Sequence, residues 1–137
     1  MVKFNSLISV LIVLSLIVPS CDYFFPPLSG DKIPVNEAFN YLKKHSGDRE
    51  VVLLDVRTRV EYDKSHLQNA VNMDYTSTDF PGNIEKLDKN TRFIIYDDSG
   101  KKSSNTFELM KELRFPNVHY IIGGFNQWKK ENLPIDF

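Results

Sequence analysis

At 137 residues the chain has room for one ordinary domain and not for two. Its 42% apolar and 26% charged residues, with ten Phe and six Tyr, describe a chain that builds a core and exclude a disordered one. A formal net charge of -1 excludes a nucleic-acid partner recognised by charge, while three His and one Cys leave little for a metal site and nothing for an internal disulfide.

The first element is apolar. Lys3 is the only charge before Asp22, and Leu7 to Val18 is interrupted only by Ser9 and Ser15. That length suits the core of a signal peptide better than a bilayer span, which needs ~20 apolar residues. Retention of the segment as an uncleaved anchor is the alternative. Val18-Pro19-Ser20-Cys21 resembles a bacterial lipobox, although Pro19 is an unusual middle residue. The resemblance implies removal of residues 1–20, lipidation of Cys21 and attachment to a membrane of the bacterial cell envelope, facing away from the cytoplasm. Several acyl chains hold a protein stably where one is marginal. Residues 21–32, with Pro26-Pro27 and Ser29-Gly30, then read as a tether, and Tyr23-Phe24-Phe25 suits a lipid interface.

From residue 33 to 137 the periodicity alternates between strand-like and helix-like, which predicts one α/β domain. Val35 to Lys44 carries Val35, Ala38, Phe39 and Leu42 at helical spacing. Val51 to Leu54 is a short apolar run, as expected of a strand covered on both faces. A helical turn over Val60–Lys64 and a short strand over Ala70–Met73 follow. Tyr75 to Asn83 reads as a loop and Ile84 to Leu87 as a short helix. Phe93 to Tyr96 predicts a second buried strand, and Ser103 to Leu113 a helix offering Phe107, Leu109, Met110 and Leu113 to the core. Val118 to Ile122 is the last strand, Gly123-Gly124 a turn, and Phe125 to Lys130 the closing helix. The fold expected is a mainly parallel central sheet of about five strands with helices on both faces. Ligands of such sheets bind beyond the carboxyl ends of the strands, where Asp55 and Asp97 fall.

These residues together resemble the rhodanese-like (sulfurtransferase) family. Leu53-Leu54-Asp55-Val56-Arg57, Glu61-Tyr62, His66 and Ala70-Val71-Asn72 follow its first motif, with Ser65 and Gln68-Asn69 departing from it at turn positions. The strand ending at Tyr96 and the run Ser99 to Ser103 follow the second. Gly123-Gly124-Phe125, Trp128 and Leu133-Pro134 follow the closing segment. The resemblance implies that Asp97, Asp98, Ser99, Gly100, Lys101 and Lys102 form the active-site loop, whose backbone N–H groups cradle an anion. The family's sulfur-carrying Cys would head that loop, and Asp97 stands there instead. A carboxylate keeps the charge of a thiolate and cannot form a persulfide.

Other roles for these residues are weaker. Asp55 and Arg57 are expected to brace the first motif, and His66 to be structural rather than a base. Asp97 and Asp98 lack the Asp-x-Asp companions of a phosphoryl-accepting aspartate. Lys101 and Lys102 are balanced by the two carboxylates beside them. The resemblance therefore implies a non-catalytic binding or regulatory module with an unknown protein partner, no cofactor and no metal. The alternative is an enzyme, either of sulfurtransferase type with a partner's thiol or of an unfamiliar type using Asp97.

Overall fold

The computed structural model describes residues 28–137. The expected signal peptide, Cys21 and the tether up to Pro27 lie outside the described residues. The elements in chain order are β1 (Lys32–Ile33), α1 (Val35–Lys44), β2 (Val51–Asp55), α2 (Arg59–Lys64), β3 (His66–Leu67) and β4 (Val71–Asn72). There follow α3 (Phe80–Glu85), β5 (Arg92–Tyr96), α4 (Lys101–Glu112), β6 (Val118–Ile121), α5 (Gly124–Lys130) and β7 (Ile135–Asp136). Five strands make a parallel sheet in the order β1-β6-β5-β2-β4. β3 and β7 form a separate antiparallel pair, with His66 opposite Asp136.

The middle strands are apolar on both faces because helices cover both. On β5, Ile94 and Tyr96 face a cluster with Val35, Ala38 and Tyr41 of α1 and Phe125 and Trp128 of α5. Phe93 and Ile95 face the other way, against Phe80 and Ile84 of α3 and Phe107 and Met110 of α4. β2 divides likewise, Leu53 to the first cluster and Leu54 to the second. Each such side chain contributes about 1.5–3 kcal/mol by leaving water, before the entropy of ordering it is subtracted. The turn after β6 and the loop after β5 are thereby brought together at one end of the sheet.

Several expectations are corrected. The sheet takes in Lys32, and residues expected to be tether fold onto the domain ahead of it: the Ser29 N–H and hydroxyl both donate to Glu37, at 2.6 Å each. Two residues are too short to show a strand period, so β1, β3 and β7 carry no signal of their own. α3 starts at Phe80, inside the expected loop, because Phe80 and Ile84 lie one helical turn apart and are both buried. Pro81 suits that first turn, where no N–H is needed. On α1 the fully packed aromatic is Tyr41, whose hydroxyl meets Arg92, while Phe39 and Leu42 are only partly buried. α4 begins at Lys101, two residues before the expected start, for a reason found in the loop preceding it.

Candidate functional site

Asp55 is the last residue of β2 and is fully buried. A buried carboxylate is tolerable only with partners, and Asp55 has four donors. The Arg57 backbone N–H donates to Oδ1 at 2.9 Å. Arg57 Nη2 donates to Oδ2 at 2.6 Å, and Nε lies 3.1 Å from both oxygens. The Tyr96 hydroxyl also donates to Oδ2. Burial, reinforced by the Asp55 charge, holds the Tyr96 phenol well above its usual range, so it stays a donor. Arg57 completes the brace. Its Nη2 donates to the Ser65 carbonyl at 2.8 Å, and its guanidinium lies 4.1 Å from the centre of the Phe125 ring. The Asn72 amide donates to the carbonyls of Asp55 and Arg57 at 3.1 and 2.9 Å, which fastens β4 to the same turn.

Asp97 follows β5, and its side chain turns back into its own loop. Oδ1 accepts from the Gly100 N–H at 2.8 Å, the Ser103 hydroxyl at 2.8 Å and the Ser103 N–H at 3.3 Å. Oδ2 accepts from the Lys102 N–H at 3.2 Å, with the Ser99 N–H at 3.5 Å. Only 2% of the residue is exposed. This explains the early start of α4. Gly100, its N-cap residue, has no side chain to cap with, and Asp97 supplies the acceptor from three residues upstream. Gly100 has φ +100°, the left-handed conformation that lets the loop close so tightly.

The loop is held from behind by α5. The Phe125 N–H donates to the Asp97 carbonyl at 2.8 Å and the Asn126 N–H to the Asp98 carbonyl at 3.0 Å. Gly124 makes this approach possible. A Cβ there would stand 2.2 Å from the Asp97 carbonyl oxygen and 2.9 Å from the Asp98 carbonyl carbon.

Asp98 points the other way, half-buried at the rim, with Oδ1 3.7 Å from Arg57 Nη1. Burial and the neighbouring Glu61 carboxylate push its carboxyl up, while Arg57 and Lys102 oppose the shift. Glu61 is held below the usual carboxylate range by the Thr58 hydroxyl and N–H, with which it forms a capping box on α2. The pattern Thr58-x-x-Glu61 is a helix-start signal already present in the sequence. Lys101 is exposed, and Lys102 lies close enough to Glu61, Asp74 and Asp98 to influence all three. His66 stands apart from the loop. Its ring stacks on Tyr62 at 4.0 Å, and Nδ1 lies 3.0 Å from the Tyr62 carbonyl, a structural pairing between α2 and β3. The roles of Tyr96 and Gly124 were not legible, because each depends on a partner more than 25 residues away in sequence.

Fold and site together define a single α/β domain whose carboxyl edge carries a braced first turn and a loop lined with backbone donors. Residues 38–131 match the rhodanese-like domain family. The chain belongs to that family. It is 31% identical over 93 residues to the thiosulfate sulfurtransferase GlpE of Coxiella burnetii, covering 68% of this chain and 81% of that one. A second relative, the adenylyltransferase and sulfurtransferase UBA4 of Debaryomyces hansenii, is 32% identical over 107 residues, which cover 73% of this chain and 24% of that protein. Among solved structures, a rhodanese-related protein from Thermoplasma volcanium aligns with a TM-score of 0.67 at 19% identity, covering 78% of this chain and 98% of the other. The rhodanese-like domain of an Anabaena protein gives 0.67 at 22% identity, covering 78% and 79%. These two likenesses are of fold.

Proposed function

We propose that this protein is a non-catalytic rhodanese-like module, lipid-anchored at a bacterial envelope membrane, that binds a protein partner instead of transferring sulfur. One observation carries the reading. The residue at the head of the donor-lined loop is Asp97, with its carboxylate seated in the loop, and residues 28–137 contain no cysteine. Sulfur transfer needs a polarisable nucleophile that can attack a sulfane sulfur and then hold it, and a carboxylate does neither. Cys21 is no substitute if its sulfur is tied up in a lipid thioether.

The test is transfer of sulfur from thiosulfate to cyanide. The full chain in detergent is expected to give no turnover above background, and Asp97→Cys a weak but measurable one. The loop donors that now hold a carboxylate would also stabilise a thiolate and lower its pKa below the free value of about 8.5. Turnover by the unaltered chain would overturn the non-catalytic reading.

The anchor is tested separately. Val18 to Cys21 supports lipidation, so mass spectrometry of the native protein is expected to find an N-terminal Cys21 carrying lipid. Cys21→Ser should remain unprocessed. Recovery of a mature peptide beginning at Met1 would refute the anchor and leave the loop assignment untouched.

A further inference from the structure

We propose that the segment Tyr23-Phe24-Phe25 seats in an apolar groove beside α1 and straps the domain to its own tether. The groove is a cavity of about 640 Å³ lined by Phe39 and Leu42 of α1, Leu53 of β2, Leu67 of β3 and Trp128 of α5. Sites that enclose an organic molecule are of this size, about 300–1,000 Å³. All five side chains belong to, or pack against, the apolar cluster on the α1 side of the sheet. The groove is separate from the site at Asp97. Val51, which also lines it, starts β2, whereas Asp97 lies beyond the opposite end of the strands.

The course of the chain ahead of β1 names the occupant. Leu28, the first residue described, is partly buried against that same cluster. Ser29 is fastened to Glu37 of α1 by two hydrogen bonds of 2.6 Å, and the Gly30 carbonyl lies 2.8 Å from His119 Nδ1. The chain thus arrives already fixed against α1. Phe25, Phe24 and Tyr23 stand four, five and six residues before Ser29, an extended reach of at most about 13 to 20 Å. Glu37 lies about 140° around the helix from Leu42, and a helix with its side chains is about 10–12 Å across, so that reach carries the segment over α1 to the groove. Aromatic rings also suit its walls. Phe39 and Trp128 already meet edge to face at 5.8 Å, an arrangement that a further ring extends. The short link gives the segment a high effective concentration at the groove, an advantage over any free ligand of like chemistry.

A seated strap also orients the module. With lipid on Cys21, the membrane surface would lie only a few residues from the groove, and the amino ends of the strands, where Val51 stands, would face the bilayer. The donor-lined loop at the carboxyl ends would face away from it, open to a partner. This orientation rests on the anchor read at Cys21. The seat itself requires no lipid.

The test uses the full chain in vesicles of phosphatidylethanolamine and phosphatidylglycerol, with photoreactive p-benzoylphenylalanine in place of Phe24. Nitrogen-14 and nitrogen-15 chains are mixed, so that mass separates adducts within one chain from adducts between two. Irradiation is expected to give an adduct within one chain, at Phe39, Leu42 or Trp128. Adducts to lipid would overturn the proposal and leave the aromatic residues at the membrane interface. Adducts between chains would overturn it and make the groove an interface between copies. Trp128 provides a second reading, because it is the only tryptophan of the chain and its emission reports on the groove alone. Tyr23→Ser, Phe24→Ser and Phe25→Ser together should shift that emission to longer wavelength and increase its quenching by acrylamide. Emission and quenching equal to those of the unaltered chain would overturn the seat, whether or not a cross-link forms. Lipid mass on Cys21 reports the anchor and adduct position reports the seat, so either reading can fail alone.

Discussion

Gly124→Ala is expected to destabilise the domain by on the order of 3–5 kcal/mol, a large share of the about 5–15 kcal/mol that holds a domain folded. Two costs combine. Gly124 has φ +54°, where any residue with a Cβ is strained. The added methyl would also stand 2.2 Å from the Asp97 carbonyl oxygen and 3.0 Å from the Asp97 carbonyl carbon. Both contacts are to backbone, which cannot rotate aside as the end of a flexible side chain would. Relief requires α5 to retreat from the loop, and its N–H groups then release the carbonyls of Asp97 and Asp98. Chemical denaturation measures the loss. Gly82→Ala is the control, because nothing lies within 4 Å of its added Cβ and its φ is ordinary. It should change stability by less than about 1 kcal/mol. A Gly124→Ala midpoint equal to that of Gly82→Ala would show that the approach of α5 to the loop is looser than these distances indicate.

Asp55→Ala is expected to cost a similar amount, about 3–5 kcal/mol, because it leaves a buried charge without its partner. The Arg57 guanidinium side chain is 3% exposed, and its remaining acceptors are the Ser65 carbonyl and the distant Asp98. The Tyr96 hydroxyl loses its acceptor at the same time. Loss of a single neutral hydrogen bond would cost only about 1–3 kcal/mol, so the size of the effect reports on the ion pair. Asp55→Ala combined with Arg57→Met removes both charges and should recover part of the loss, since Met can keep packing on Phe125. Additivity of the two single losses would refute the pair as the source of the cost. An unchanged denaturation midpoint for Asp55→Ala would refute the brace itself.

The sequence was most informative where the pattern is local and repeated. Val51 to Leu54 and Phe93 to Tyr96 are apolar at consecutive positions, as a short strand covered on both faces accommodates, and both lie in the middle of the sheet. Asp55 and Arg57 of the first motif lie two residues apart along the chain and are hydrogen-bonded to each other. His66 lies against Tyr62, four residues away. The start of the domain was misplaced because β1 has two residues, and two residues fill no period. Phe80 was assigned to a loop because its reason for being helical is a core contributed by other elements.

By itself the sequence determined the class of fold, the position of the donor-lined loop and the absence of any cysteine from it. The first and the last follow from residue identity, hydrophobic period and order along the chain, and the loop from the motifs that resemble the rhodanese-like family. Tertiary structure alone decided which way each acid of the Asp97-Asp98 pair turns. Adjacent and chemically alike, they are indistinguishable by composition or spacing. Asp97 turns inward because the N–H groups of Gly100, Lys102 and Ser103 converge on it and α5 closes the loop behind. Asp98 remains at the rim between Arg57 and Glu61. The difference comes from where the amides of the following turn point, and that direction exists only once β5, α4 and α5 have packed.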